Sequence, residues 1–242
     1  MIKFFITNPW GILLLVVFAL ILFVLVSAVF YKAFFKRFYD IVLSLIAIIV
    51  LSPILIILTI VGAIKMKGNP FFTQLRPGKV DKKTGKERIF RLIKFRSMTC
   101  EKDENGNLLP DDKRLTKYGK ILRATSLDEL PELFNIFIGD MSIVGPRPLL
   151  VEYLPYYTSE ESLRHTVRPG LTGLAQISGR NSVKWDDRLA LDVKYVKSIS
   201  LINDIKIIFQ TAMKVIKRAD VADDTNKEEG TLAEIRKNLI QG

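Results

Sequence analysis

Cysteine and histidine are almost missing from this sequence, which has Cys100 and His165 and no others among 242 residues. A single thiol excludes any intramolecular disulfide and suits a reducing compartment, and a single imidazole leaves no His-rich zinc site. There are no internal repeats and no Gly- or Ser-rich linker, so nothing marks the chain as a string of modules. Negative charge is scarce as well: 25 Asp and Glu face 36 Lys and Arg, a formal net charge of +11. Two stretches carry no charge at all, Trp10 to Tyr31 (22 positions) and Ile41 to Ile64 (24 positions), so all 61 charged residues fall in the other 196. Such gaps exclude a disordered chain and a purely soluble one.

The first gap is nearly pure Leu, Ile, Val and Phe between Ile12 and Val26. As a helix it reaches ~33 Å, enough for a hydrocarbon core of ~30 Å. Trp10 and Tyr31 stand at its ends, where amphipathic rings favour the headgroup layer. It exceeds the usual ~7 to 15 apolar residues of a signal peptide, and is read as a retained anchor. Lys32, Lys36 and Arg37 follow it against Lys3 before it, which places its C-terminal end in the cytoplasm.

The second gap has basic residues on both sides, Lys36 and Arg37 before it and Lys65 and Lys67 after. A simple crossing strands one cluster outside. At its middle stand Ser52 and Pro53; a proline inside a helix removes a backbone hydrogen bond and costs ~3 kcal/mol or a kink, and a serine hydroxyl can satisfy the freed carbonyl. These features favour a re-entrant helix-break-helix that returns to the cytoplasmic face. The plainer alternative is an ordinary transmembrane helix with a proline kink.

From Gly68 onward the chain reads as one basic domain. Phe71 to Leu75 and Ile89 to Phe95 predict a small β-hairpin, and helical spacing dominates later, over Leu189 to Ile199 and Ile202 to Arg218. In the last segment Ile202, Ile205, Phe209, Ala212 and Ile216 form a stripe that either packs on the core or lies on anionic lipid. The charge-rich residues 220–242 predict a mobile tail with a short helix from Thr231 to Leu239.

Seven adjacent acidic pairs occur, so adjacency alone selects none. Asp128-Glu129 differs by context: Leu127 and Leu130 flank it, and Arg123 lies five residues upstream. Partial burial beside cations is what a working carboxylate needs. The same residues also read as a helix start, with Ser126 as N-cap and Glu129 closing a capping box, a reading that Pro131 weakens. Gly145-Pro146-Arg147-Pro148 and Arg168-Pro169-Gly170-Leu171-Thr172-Gly173 are rigid turns, each presenting an arginine. An arginine between two prolines is a preorganised fork for phosphate or carboxylate. Lys94 and Arg96 add positive charge, and His165 reads as structural.

Together, Lys36-Arg37-Phe38-Tyr39-Asp40, Ser52-Pro53, Arg76-Pro77-Gly78, Lys94-Phe95-Arg96-Ser97-Met98, Ser126 to Asn135, Gly139 to Pro148, Arg168 to Gly173 and Leu191-Asp192-Val193-Lys194-Tyr195-Val196 resemble the bacterial sugar transferase family. These are the monotopic phosphoglycosyl transferases, and the likeness is to their small single-domain members, with the helix from Trp10 to Tyr31 as an addition. The resemblance implies a mainly α fold with a small β-hairpin. It is divided as a transmembrane anchor (1–31), a re-entrant membrane hairpin (32–67), a cytosolic catalytic domain with interfacial amphipathic helices (68–219) and a charged tail (220–242). It further implies transfer of a phosphosugar from a UDP-sugar to polyprenyl phosphate with release of UMP, at the cytoplasmic face of the inner membrane. Asp128 would be the nucleophile that forms a covalent phosphosugar intermediate, and Glu129 would help to hold Mg²⁺. Lys94, Arg123 and Arg147 are the choices for phosphate contacts. Membrane lipid is an expected partner. Nucleic acid is not, for want of an aromatic-basic ribonucleoprotein signature or zinc-finger cysteines. A transferase that moves the sugar without its phosphate, and a non-enzymatic adaptor on anionic lipid, are the competing readings.

Overall fold

A computed structural model describes residues 8–179, 184–217 and 230–240, with side chains described as far as 237 in the last segment. Helix α1 (Pro9–Val29) starts at Asn8, whose side chain accepts from the Trp10 amide, with Pro9 in the first turn where its missing N–H costs nothing. Apart from Gly11 and Ser27 its residues are not buried. A π-helical turn, Tyr31–Phe35, leads into α2 (Lys36–Lys65). The chain doubles back here: the Phe23 and Phe35 rings are 5.6 Å apart, whereas twelve residues of straight helix would separate them by ~18 Å.

Helix assignment in α2 runs unbroken through Ser52 and Pro53, so the expected non-helical break between two short helices is absent. The reason is local. Pro53 deprives the Ile49 carbonyl of its i+4 donor, and the Ser52 hydroxyl donates to that same carbonyl at 2.7 Å. One face of α2 follows the domain along its whole length. Asp40, Ser44, Leu55 and Gly62 are buried, and Ala47, Ile48 and Leu51 pack on a core of Phe90, Leu92, Leu133, Ile136 and Met141. The spacing of three and four residues is that of one helical stripe. The opposite face exposes Ile46, Ile49, Val50, Ile57, Ile60 and Ile64.

The first turn of α2 is fastened by charge. Lys36 donates to Asp204 at 2.6 Å and to the Val144 carbonyl at 2.9 Å, Arg37 donates to the Ile136 and Phe137 carbonyls, and Asp40 accepts from Ser142 and from the Ile143 amide. At the far end, Tyr118 donates to the Leu58 carbonyl, and a Cβ on Gly62 would lie 3.0 Å from Pro70.

The domain itself holds an antiparallel pair, β1 (Phe71–Val80) and β2 (Glu87–Phe95). Both strands extend past their expected ends because Arg76 and Pro77 continue the ladder up to an irregularity between Pro77 and Val80. In a two-stranded sheet each strand is an edge, so Pro77 is tolerated. Helices α3 (Asp111–Arg114), α4 (Lys117–Ala124) and α5 (Glu132–Ile138) follow. Next come β3 (Ser142–Val144), paired in parallel with β4 (Gly170–Thr172), then α6 (Leu174–Ile177), α7 (Trp185–Lys197), α8 (Leu201–Ile216) and α9 (Leu232–Ile240).

Of the two readings of the α8 stripe, core packing is the one set aside: Ile202, Ile205, Phe209 and Ile216 are 57% to 75% exposed, while Asp204 and Ile207 face inward. Asp204 is drawn in by Lys36, Tyr31 and Tyr195. Nor is the C-terminal segment wholly a tail. Leu232 is fully buried among Leu149, Tyr153, Trp185 and Leu189, and Arg236 pairs with Glu161 and Asp186. Residues 218–229 lie outside the described part.

Candidate active site

Helix α4 ends where Thr125 turns its hydroxyl back to the Ile121 carbonyl. Ser126 then takes φ 55°, ψ 19°, in the left-handed region. That conformation costs a non-glycine residue roughly 1–3 kcal/mol and tends to persist where function needs it. A 3₁₀ turn, Leu127–Glu129, follows, and α5 begins only at Glu132. The expected capping box does not form: Ser126 makes no side-chain cap, and the Glu129 carboxylate reaches Lys94 and Arg147 instead. Pro131 precedes α5 rather than lying within a helix, where its missing N–H does no harm.

The predicted residues converge on this turn. Lys94 of β2 bonds Glu129 Oε1 at 2.7 Å and stands 3.2 Å from Glu132 Oε1. Arg147 Nη2 reaches the same Glu129 Oε1 at 3.1 Å. Burial opposes the charge on Glu129, but Arg147 and Lys94 together outweigh it and hold its pKa well below the usual carboxylate range. Glu132 shares Lys94 with Glu129 and is raised by burial to about 7, with Lys94 and, less strongly, Arg147 pulling the other way. Asp128 is also raised, first by burial and then by Glu129, with Lys94, Arg123 and Arg147 pulling the other way. No hydrogen bond from a described residue reaches its carboxylate. Arg123 acts on Asp128 only through its field, since its Nε donates to Ser97.

Arg147 is held by its backbone. The Gly145 amide donates to the Thr172 carbonyl and the Gly170 amide to the Pro146 carbonyl, so the two Pro- and Gly-rich turns lie against each other. The approach requires glycine, because a Cβ on Gly170 would fall 2.1 Å from the Gly145 nitrogen. Behind them Arg164 donates to the Arg147 carbonyl at 2.6 Å and pairs with Asp192 through Nε and Nη2. Both side chains of that pair are almost fully buried, at 1% and 2% exposure. His165 packs on Tyr157, and burial pushes its pKa down to about 3, so it is neutral and structural as expected. Arg168 takes no part in the site, since its Nε donates to the Gly139 carbonyl.

A cleft of about 510 Å³ is lined by Arg76, Glu129, Arg147, Gln176, Trp185 and Glu234, among others. Asp128, next to Glu129 in the chain, does not line it. Among the described residues no three acidic, His or Cys side chains are grouped to hold a metal. The donor chemistry nevertheless fits Mg²⁺ bound jointly with substrate phosphate. Both cations bond Glu129 Oε1, which leaves Oε2 uncommitted. Sequence reasoning assigned no role to Glu132, Arg164 or Gln176. Asp192 lay in a recognised motif, and so did Arg76, whose Arg-Pro-Gly spacing was the signal available.

The opposed shifts of Glu129 and Glu132 yield a pH prediction. A carboxyl raised by folding stabilises the protein in acid and loses that contribution as pH rises through its folded pKa. For Glu132 the loss falls between the unfolded value near 4.5 and about 7. Glu132→Gln should therefore raise the thermal midpoint relative to the parent more at pH 8 than at pH 5. An equal difference at both pH values in a melting series would show that Glu132 does not titrate in this way.

The family model described as bacterial sugar transferase matches residues 31–218. The chain is 46% identical over 181 residues to the uncharacterized sugar transferase EpsL of Bacillus subtilis, covering 75% of this chain and 87% of that one. It is 39% identical over 203 residues to the undecaprenyl-phosphate galactose phosphotransferase of Salmonella typhimurium, covering 76% of this chain and 41% of the relative. The UDP-glucose:undecaprenyl-phosphate glucose-1-phosphate transferase of Klebsiella pneumoniae is 41% identical over 190 residues, covering 74% of this chain and 40% of the relative. The chain thus spans less than half the length of the latter two.

Proposed function

Because the chain belongs to the bacterial sugar transferase family, we propose that it moves a sugar 1-phosphate from a UDP-sugar to polyprenyl phosphate, releasing UMP and starting a membrane-bound glycan. The observation that carries this reading is the unequal treatment of two neighbouring carboxylates. Glu129 is bonded by both cations, whereas Asp128 is half-buried, without a hydrogen bond from a described residue and under the field of three cations. A carboxylate left unpaired is available as a nucleophile.

In this reading an Asp128 oxygen attacks the β-phosphorus of the UDP-sugar. The bond to the bridging oxygen breaks and UMP leaves with the electron pair, giving a phosphosugar-aspartate. An oxygen of polyprenyl phosphate then attacks the same phosphorus and returns Asp128 as carboxylate. Anion meets anion in both steps, so preorganised positive charge has to offset the repulsion. Lys94, Arg123 and Arg147 supply it, and Glu129 fixes two of them in place. Glu129 would be the residue that helps to hold Mg²⁺, which would supply further neutralisation of the diphosphate. The relatives named for transfer to undecaprenyl phosphate support the same lipid acceptor. Following nucleotide release from a panel of UDP-sugars with undecaprenyl phosphate tests the reaction. UMP is the expected product, and UDP would mean that the sugar moves without its phosphate.

The packing of α2 supports a monotopic placement on the cytoplasmic face. A straight helix of 30 residues is ~45 Å long, ample to cross a ~30 Å core. Yet its first turn, its middle and the turn at Leu58 are all attached to one polar domain, which could not follow it through the bilayer. The exposed apolar faces of α2 and α8 then enter one leaflet together, and α1 alone crosses. Single cysteines replacing the exposed Lys32 and Lys65, in a Cys100→Ser background, should both react with an impermeant thiol reagent only from the cytoplasmic side. Labelling of the two from opposite sides would refute the re-entrant arrangement.

A further inference from the structure

The cleft contains a polar group with no partner among the described residues. Gln176 on α6 is 8% exposed, lines the cleft, and has no partner at either Nε2 or Oε1. A buried amide unmet at both ends is costly and calls for a ligand that supplies a donor and an acceptor side by side. A second requirement comes from Arg76 and Arg147. Burial and then the Arg147 charge lower the pKa of Arg76, and Arg76 Nε is also buried without a partner. The pair calls for an anion. The same cleft carries aromatic surface: Tyr153 meets Trp185 edge to face at 5.5 Å, and the Arg188 guanidinium lies 4.4 Å from the Trp185 ring centre.

A ligand carrying both a phosphate and a planar ring with an imide edge satisfies the two requirements. We infer that Gln176 binds the base of the nucleotide, its Oε1 accepting from uracil N3–H and its Nε2 donating to an adjacent ring carbonyl, with Arg76 holding the phosphate nearer the base. This rests on the UDP-sugar reading above and adds to it the residue that recognises the base. The volume of about 510 Å³ is that of a small-molecule site. The amide can turn over, so Gln176 demands a paired donor and acceptor rather than uracil alone, and the test uses a ligand in which that pair is broken.

Calorimetric titration of the full chain in nanodiscs with UMP and with 3-methyl-UMP, which lacks the N3 donor, separates the outcomes. The parent should bind UMP at least about tenfold more tightly than the methylated ligand. Gln176→Met, of similar shape but without the amide, should lose about tenfold for UMP and bind the two ligands alike. If that variant fails to fold, Gln176→Glu keeps the acceptor, removes the donor, and should likewise weaken UMP. A Gln176→Met protein that still discriminates between the ligands overturns the assignment. So does one that weakens UDP-sugar while leaving UMP untouched, which would give Gln176 to the sugar. A parent protein that binds neither UMP nor any UDP-sugar refutes the proposed reaction itself, a result distinct from both.

Discussion

Asp128→Asn is expected to abolish formation of lipid-linked product, a loss of at least about three orders of magnitude in kcat, while the protein folds and binds nucleotide. An amide is a poor nucleophile towards phosphorus, and neither carboxylate beside it is placed as Asp128 is. Glu129 has both lone cations on one oxygen, and Glu132 sits 4% exposed behind Lys94. Stability should change little, because Asp128 makes no hydrogen bond with a described residue and its charge is held against burial and the neighbouring Glu129. Removing that charge relieves a repulsion. Glycan-lipid synthesis measured alongside a melting curve checks both halves: activity lost, midpoint unchanged or slightly raised. Full activity in Asp128→Asn would remove the assigned nucleophile.

The largest effect on stability is expected at a residue distant from the chemistry. Asp192→Asn leaves the Arg164 guanidinium, 1% exposed, without a counter-charge. Breaking one side of a buried pair costs about 3–5 kcal/mol, because the surviving charge is stranded. Burial raises Asp192 while Arg164, and less strongly Arg188, lower it, so its ionised form depends chiefly on Arg164. Arg164 also donates to the Arg147 carbonyl, so the variant should raise KM for the nucleotide sugar as well as lower the thermal midpoint. Replacing the pair together, Arg164→Met with Asp192→Leu, should recover much of the stability. It should not recover KM, because the donor to Arg147 is still missing. Recovery of both would reduce the pair to a purely structural role.

The charged site was legible in the sequence because its parts are local: the Asp128-Glu129 turn, an arginine between prolines at 147, and Lys94 at a strand end. What stayed hidden depends on distant partners. Ser126 reads as a helix cap on composition, and its left-handed backbone follows only once Glu129 is taken by Lys94 and Arg147. The amphipathic period of α8 was plain, but which face turns inward is decided by Asp204, whose partners Tyr31, Lys36 and Tyr195 come from three other places in the chain. The helix continues through Ser52-Pro53 for a reason a sequence can suggest but not weigh, since a single hydroxyl replaces the missing donor. The docking of α9 rests on Leu232 entering a cluster drawn from residues 149 to 189, which no window of local sequence contains.

Intact mass after incubation with UDP-sugar alone, without lipid acceptor, tests the central claim most directly. The parent protein should gain the mass of one sugar phosphate and release one equivalent of UMP, and Asp128→Asn should gain nothing. Turnover to lipid product by a protein that never carries the adduct, or an adduct of equal size on Asp128→Asn, would contradict the account.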